Sequence, residues 1–235
     1  MNNNYNLTYF THKVWSQNGI HFENCDCMKR LKDYPDKHFD LLLLDCPYGI
    51  GEDGAKNHTR GKLAISQDYK PYCSTDDSAP SKEVFDELFR VSKNQIIWGA
   101  NHFISKIPYD SSCWIVWDKE NGATDFADCE LAWTSFKSAV RKFSFRWSGM
   151  LQGDMKNREQ RLHPNQKPTA LYSWLLTHYA KQGDLILDPM CGSASSLAAC
   201  YDLGFEAVGF EIDEYYFDKA CRRLQDEMAQ VRMEL

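Results

Sequence analysis

The chain has 235 residues, of which 43% are hydrophobic and 26% charged, and its formal net charge at pH 7 is −6. These proportions are typical of a soluble globular protein and exclude collagenous and disordered chains. No apolar run approaches the roughly 18 residues of a membrane-spanning helix, and the first residues lack the pattern of a secretory signal. We therefore expect a cytoplasmic protein with no membrane partner. The acidic net charge also excludes a protein that coats nucleic acid by bulk charge alone.

Short apolar runs alternate with longer helical patterns over most of the chain. The predicted strands are 20–25, 40–44, 95–98, 113–117, 130–134, 185–187 and 207–210. The predicted helices are 27–34, 82–91, 169–180, 195–203 and 214–233. This alternation predicts an α/β fold with a mostly parallel sheet of about seven strands and helices on both faces. One antiparallel strand is expected in the final pair.

Two long stretches interrupt this alternation within what we expect to be one domain, residues 1–235. They are 49–80, which is polar, and 135–162, which is basic with interleaved aromatic residues. Residues 136–162 contain seven basic residues against two acidic ones, the clear charge asymmetry of the chain. Loops of this length in a compact domain are usually functional or disordered. We expect both stretches to be insertions that recognise a polyanion.

Nine cysteines are present, an odd number without any Cys-x-x-Cys pair. This pattern favours reduced thiols in the core over a disulfide framework or a metal site.

Four consecutive leucines are followed by the segment Asp45-Cys46-Pro47-Tyr48. Ligands of open α/β sheets bind beyond the carboxyl ends of the strands, so a buried strand at 40–44 would deliver these groups into a binding crevice. A strand end followed by a proline turn and a packed tyrosine would have the same composition. The residues alone leave both interpretations open.

A second strand, at 185–187, is followed by an acid and small residues that open a helix, Asp188-Pro-Met-Cys-Gly-Ser193. Small residues let backbone N–H groups approach a ligand closely. Gly192 is the lone glycine of this turn, so the pattern is not the one that binds nicotinamide dinucleotides. About twenty residues later Glu211 ends the next strand, where an acid commonly holds ribose hydroxyls. The pattern indicates a nucleoside ligand, although a βαβ unit without a ligand would read similarly.

Together these segments resemble the β-group of the DNA amino-methyltransferases, which use S-adenosylmethionine to methylate the exocyclic nitrogen of adenine or cytosine. The segment 45–48 looks like their catalytic Asp-Pro-Pro-Tyr motif, and 188–195 resembles their cofactor loop, Asp-Pro-Phe-x-Gly-Ser-Gly-Thr. Residues 163–168 resemble their His-Pro-x-x-Lys-Pro segment. The resemblance runs from about residue 19 to residue 224, with Cys46, Met190, Ala194 and Ser195 departing from the pattern. It implies a Rossmann-like methyltransferase fold.

The resemblance implies S-adenosylmethionine as the cofactor and requires no metal ion. It places Glu211 on the ribose hydroxyls, Asp26 near the adenine, and Asn165 and Lys167 near the methionine end. The full set of cofactor-binding residues that it implies is Asp26, Cys27, Asn165, Lys167, Asp188, Pro189, Met190, Cys191, Gly192, Ser193, Glu211 and Ile212.

The resemblance assigns catalysis to Asp45, Cys46, Pro47 and Tyr48. An exocyclic amino nitrogen is a poor nucleophile because its lone pair is delocalised into the ring. The Asp45 carboxylate would accept one amino hydrogen and the Cys46 carbonyl the other, which aligns the nitrogen for transfer. Tyr48 would stack on the target base, which must leave the duplex to reach the pocket.

The expected partner is double-stranded DNA with its target base flipped out, and the resemblance also allows a homodimer. Basic side chains engage phosphates, and aromatic side chains between them can wedge or stack. The predicted DNA-binding residues are Lys137, Arg141, Lys142, Arg146, Arg158 and Arg161. A solvated basic loop is the alternative for this segment.

Adenine is the expected target, because cytosine-N4 members of the group more often carry serine at the position of Asp45. The alternatives are cytosine-N4 methylation of DNA, adenine methylation of RNA, and a catalytically inactive nucleic-acid-binding relative. A nicotinamide dehydrogenase is the weakest alternative, since the cofactor loop does not favour it.

Overall fold

A nine-stranded mixed sheet forms the centre of the computed structural model, which describes residues 12–51, 78–122, 127–148 and 151–229. Its strands, with those of a separate hairpin, are β1 (Lys13–Gln17), β2 (Ile20–Asn24), β3 (Phe39–Leu44), β4 (Ser92–Trp98), β5 (Trp114–Asp118), β6 (Cys129–Thr134), β7 (Arg141–Ser144), β8 (Trp147–Ser148), β9 (Leu151–Gln152), β10 (Leu185–Asp188) and β11 (Glu206–Glu211). The α-helices of these ranges are α1 (Cys27–Leu31), α2 (Lys82–Val91), α3 (Thr169–Tyr179), α4 (Ser195–Leu203) and α5 (Glu214–Ala229).

The strand order of the large sheet is β1-β2-β11-β10-β3-β4-β6-β5-β7. The five strands from β2 to β4 in this order run parallel to one another. All seven predicted strands are present, and the mostly parallel α/β architecture is confirmed. The sheet has two further strands at its edges, β1 and β7, which sequence analysis missed because both are short and mostly exposed. Strands β8 and β9 form the separate hairpin.

The antiparallel strand was expected in the wrong place. The final pair in the chain, β10 and β11, is parallel, whereas β6 runs antiparallel to both β4 and β5. The connection between β5 and β6, residues 119–128, is shorter than the dozen or more residues that a parallel crossover needs. The chain therefore turns back, and β6 enters the sheet in the opposite direction.

Both faces of the sheet are buried, which explains the uninterrupted leucine run of β3. Leu41 and Leu43 belong to one hydrophobic cluster, together with residues of α3, α4 and α5. Leu42 and Leu44 belong to the opposite cluster, together with residues of α1 and α2. A strand covered on both faces needs apolar residues at consecutive positions rather than at alternate ones. The helices thus lie on both sides, as predicted.

Parallel strands place their carboxyl ends at one edge of the sheet, and this edge carries the residues of interest. Asp26, Glu211 and Asp188 stand at or just after the ends of β2, β11 and β10, and Asp45 follows β3. The eight cysteines within the described residues are free thiols. None of the helices in the described ranges has the length and apolarity that crossing a membrane requires.

Candidate active site

A cleft of about 1510 Å³ opens along the carboxyl edge of the sheet. All the predicted catalytic residues line it, as do all the predicted cofactor-binding residues except Asp188. The strand order divides the cleft into two halves. The ends of β2, β11 and β10 form what we call the cofactor half, and the ends of β3, β4 and β5 with the start of β6 form the catalytic half. Motifs that are far apart in the sequence thus line a single cleft in the structure.

Asp45 is the first residue after β3 and accepts two hydrogen bonds at one oxygen. Its Oδ1 lies 2.5 Å from Nζ of Lys167 and 3.0 Å from the Tyr48 hydroxyl. Lys167, which the resemblance places near the methionine end of the cofactor, lines the cleft, and its ammonium contacts the Asp45 carboxylate. Burial raises the pKa of the Asp45 carboxyl above its usual range, and the Lys167 charge opposes this effect. Lys167 therefore favours the ionised form that can accept an amino hydrogen.

Glu130 and Lys119 extend this pair into a row of alternating charges. Oε2 of Glu130 lies 3.1 Å from Nζ of Lys167, and Oε1 lies 2.5 Å from Nζ of Lys119. Burial alone would raise the pKa of Glu130, but the two ammonium groups outweigh it and hold this pKa at about 2. Burial likewise opposes the charge of Lys167, and its two carboxylate partners raise its pKa. None of the motifs that carry the family resemblance includes Glu130. The sequence feature that could have indicated it is a single acidic residue in an otherwise mostly apolar strand.

The Tyr48 ring contacts a glycine and an imidazole ring. Its ring stacks on His102 with centroids 5.4 Å apart and an interplanar angle of 15°. A Cβ added at Gly99 would overlap the Tyr48 ring, and Gly99 has a φ of +69°. Glycine is thus required at position 99 both for its backbone conformation and for the space it leaves.

Replacing Gly99 with Ala is expected to displace the Tyr48 ring. The rate of methyl transfer, the reaction that the family resemblance implies, should then fall about tenfold or more. The matched control is Gly183→Ala, because Gly183 has a φ of +90° but no heavy atom of the described residues within 4 Å of an added Cβ. In urea unfolding, Gly183→Ala should lower the free energy of unfolding by roughly 1–2 kcal/mol from backbone strain, and Gly99→Ala should lower it further because its Cβ also overlaps the Tyr48 ring. Equal rates in the two variants would show that the Tyr48 position does not matter.

Asp188 forms hydrogen bonds within the turn between β10 and α4 and lies in the core. It is 3% exposed; its Oδ1 accepts the N–H of Met190 at 3.0 Å, and its Oδ2 accepts the Ser196 hydroxyl. Burial raises the pKa of Asp188 to about 7. Asp188 therefore shapes the turn between β10 and α4 and does not line the cleft.

Ala194 stands where the resembling family has glycine, and it adopts a φ of 57° at the start of α4. A non-glycine residue in this region costs roughly 1–2 kcal/mol. Its methyl group is fully buried, and burial of one such group contributes about 0.8 kcal/mol. Burial of the methyl group thus offsets part of the strain at this position.

Carboxylates line the cofactor half. Glu211 accepts the N–H of Gly192 at 2.7 Å and that of Asp213 at 2.8 Å. Burial raises the pKa of Glu211 to about 7. Asp26 caps helix α1 by accepting the N–H of Met28 at 3.0 Å, and it also lines the cleft. Asn165 is exposed at the rim of the cleft.

The predicted DNA-binding residues fall into separate places. Arg161 lines the cleft, with its guanidinium carbon 5.5 Å from the Trp147 ring centroid. Arg146 and Arg158 are exposed in the segment around the β8–β9 hairpin. Lys142 pairs with Asp118 at 3.2 Å. Lys137 and Arg141 are exposed at the amino end of β7, on the opposite edge of the sheet from the cleft.

Comparison with known proteins identifies related sequences. The family profile N6_N4_Mtase, described as DNA methylase, matches residues 5–222. The type II methyltransferase M.HinfI of Haemophilus influenzae is 24% identical over 241 residues, which cover 86% of this chain and 67% of that protein. The type II methyltransferase M.HpaI of Haemophilus parainfluenzae is 25% identical over 250 residues, covering 86% and 73%.

Solved structures share the fold. The complex of M1.HpyAVI with SAM superposes with a TM-score of 0.54 at 20% identity, over 87% of this chain and 99% of that chain. The PvuII DNA methyltransferase, described as cytosine-N4-specific, gives a TM-score of 0.54 at 10% identity, over 88% and 90%. The Rossmann-like methyltransferase fold expected from the sequence is thereby confirmed.

Proposed function

Because the chain belongs to the DNA methylase family of N6-adenine and N4-cytosine methyltransferases, we propose that it methylates the exocyclic amino group of adenine within a specific sequence of double-stranded DNA. The observation that carries this proposal is the placement of Asp45 at the end of β3, where it faces a cleft that continues to Glu211. An acceptor for an amino hydrogen and a pocket for a nucleoside thus share one cavity. Flipping of the target base is part of the proposal, since the amino group must reach Asp45.

The cofactor half fits S-adenosylmethionine. Among the described residues that follow β2, β10 and β11, the charged groups lining the cleft are Asp26, Glu211 and Asp213. Carboxylates suit hydroxyl and amine donors, whereas a phosphate would need cations or free N–H groups. When bound, S-adenosylmethionine supplies a methyl group on a positively charged sulfonium. Glu211 would hold the ribose hydroxyls and Asp26 the adenine end.

The catalytic half acts on the amino group of the target base. Both observed hydrogen bonds of Asp45 end on Oδ1, so Oδ2 is the oxygen proposed to accept one amino hydrogen. The Cys46 carbonyl accepts the other. These two acceptors localise the nitrogen lone pair and stabilise the positive charge that develops on the nitrogen during transfer. Tyr48 covers the base by stacking, which compensates for the stacking lost in the duplex.

DNA contact is proposed for Arg161, which lines the cleft, and for the exposed Arg146 and Arg158, which precede and follow the β8–β9 hairpin. Positive side chains at the rim of the cleft would hold phosphates flanking the flipped base. Lys142 is engaged by Asp118, and a contact at Lys137 or Arg141 would need DNA that reaches the opposite edge of the sheet. Residues 52–77, most of the other predicted recognition segment, lie outside the described residues.

Nucleoside mass spectrometry tests the choice of base. The protein is incubated with S-adenosylmethionine and unmethylated genomic DNA, and the DNA is then digested to nucleosides. N6-methyladenine is the expected product, because Asp45 rather than serine begins the catalytic motif. N4-methylcytosine would overturn the adenine assignment and favour the second candidate, to which the similarity with the PvuII enzyme points. In a parallel incubation with RNA, methylated nucleosides from the RNA and none from the DNA would overturn DNA as the substrate.

Binding of S-adenosylmethionine should weaken as the pH falls through about 7, the pKa to which burial raises Glu211. The ionised carboxylate is the better acceptor for ribose hydroxyls, so the dissociation constant should rise about tenfold from about pH 8 to about pH 6. Titration calorimetry measures this slope. Glu211→Gln, which cannot titrate at this position, is the control for the titration of Asp188 and of the ligand's own amine. An equally steep slope in Glu211→Gln would contradict the assignment.

A further inference from the structure

Glu130 lies at the centre of the row of alternating charges beside Asp45. Nζ of Lys167 lies 2.5 Å from Oδ1 of Asp45 and 3.1 Å from Oε2 of Glu130. Nζ of Lys119 lies 2.5 Å from Oε1 of Glu130. Both ammonium groups therefore contact the same carboxylate, which comes from β6, a strand outside the parallel part of the sheet.

Glu130 contacts the same two groups that donate to Asp45. The Tyr48 hydroxyl is 3.0 Å from Oδ1 of Asp45 and 3.2 Å from Oε2 of Glu130. The Lys167 ammonium is likewise shared between these two oxygens. Asp45 is placed to accept a hydrogen bond from the base. Glu130 can meanwhile hold the Tyr48 hydroxyl and the Lys167 ammonium in place.

Burial makes this arrangement rigid. Lys167 is 6% exposed and Glu130 is 20% exposed, so little water can replace a lost partner. Lys119 holds the far oxygen of Glu130, which fixes the direction of the near one. An ammonium group left with fewer partners in such surroundings would shift toward Asp45 or toward solvent. Either shift would change the position of the Asp45 carboxylate.

We infer that Glu130 is a positioning residue for methyl transfer, which holds Lys167 and the Tyr48 hydroxyl in place while Asp45 accepts the amino hydrogen of the target base. This inference rests on the proposed function. Glu130 acts through Lys167 and Tyr48 and is not itself a catalytic residue. Lys119 supports it by orienting its carboxylate.

Glu130→Gln tests the inference, with Glu87→Gln as its matched control. Glu87 is also a mostly buried acid, with 18% exposure and an Arg90 partner at 2.7 Å, but it lies on α2 outside the cleft. Single-turnover methyl transfer into DNA, calorimetric binding of S-adenosylmethionine and thermal melting are measured for each variant. We expect Glu130→Gln to lower the transfer rate about tenfold to a hundredfold with unchanged cofactor affinity, and Glu87→Gln to keep the wild-type rate.

A double-mutant cycle separates positioning from general support of the fold. In a Lys167→Met background, Glu130→Gln should lower the rate by a smaller factor than in the wild-type background, because one of the two groups through which Glu130 acts is gone. Glu130→Asp keeps the charge and should transfer methyl groups faster than Glu130→Gln but more slowly than the wild-type protein. If Glu130→Gln does not fold, the rate of Glu130→Asp tests the inference instead. Wild-type rates in the Gln or Asp variants, or fully additive losses in the cycle, would overturn the inference. An inactive wild-type protein would instead overturn the proposed function.

Discussion

Replacing Asp45 with Asn is expected to lower the single-turnover rate of methyl transfer roughly 10²–10³-fold and to leave the affinity for S-adenosylmethionine unchanged. The amide oxygen can still accept a hydrogen bond, but it carries no charge to stabilise the positive nitrogen of the transition state. The Lys167 ammonium, 2.5 Å from Oδ1, would then face a neutral group. Rapid-quench transfer of labelled methyl groups into DNA measures the rate, and calorimetry measures the affinity.

Asp40→Asn is the matched control for this prediction. Asp40 lies near the amino end of the same strand, β3, where it pairs with Lys93 at 2.6 Å on the edge opposite the cleft. The same acid-to-amide change there should leave the rate within about twofold, as expected for a residue outside the site. Turnover retained by Asp45→Asn, or lost equally by Asp40→Asn, would remove Asp45 from its assigned role.

Tyr48→Ala is expected to lower kcat/KM for DNA about 10-fold to 100-fold, more than either Tyr48→Phe or Tyr48→Trp. The assigned role is stacking on the flipped base, which any large aromatic ring can supply in part. Tyr48→Phe also removes the hydroxyl that lies 3.0 Å from Asp45, so it tests the hydroxyl alone. Steady-state kinetics over a range of DNA concentrations measures all three variants.

The control for aromatic truncation is Tyr109→Ala. Tyr109 is 61% exposed and does not line the cleft, so its loss should leave kcat/KM unchanged. Equal losses for Tyr48→Ala, Tyr48→Phe and Tyr48→Trp would argue against stacking and would point to the hydroxyl or to a structural role instead.

The strands that carry the site could be predicted because their local patterns are strong. The run Leu41 to Leu44 is long enough to indicate a strand buried on both faces, and the acid after it marks the binding edge. The order of the neighbours, by contrast, depends on pairings between distant segments. Periodicity in one segment carries no information on which strand it pairs with.

The role of Glu130 could not be predicted for the same reason. It is 37 residues from Lys167 in sequence, and their contact arises because β6 turns back to lie next to β4. The basic segment 136–162 was predicted to form one DNA-binding surface, and this prediction depended on composition alone. In the structure, Arg141 begins strand β7 and Arg146 follows its end, so the two residues lie at opposite edges of the sheet. Composition counts charges and does not give their directions.

The most direct test of the account is transfer of labelled methyl groups from S-adenosylmethionine to unmethylated double-stranded DNA, with the Asp45→Asn variant assayed in parallel. The account predicts that the wild-type protein labels an exocyclic amino group of the DNA and that the variant binds the cofactor but labels DNA at least about a hundredfold more slowly. A wild-type protein that binds the cofactor and DNA yet transfers no label would contradict it and would indicate a nucleic-acid-binding relative without catalytic activity.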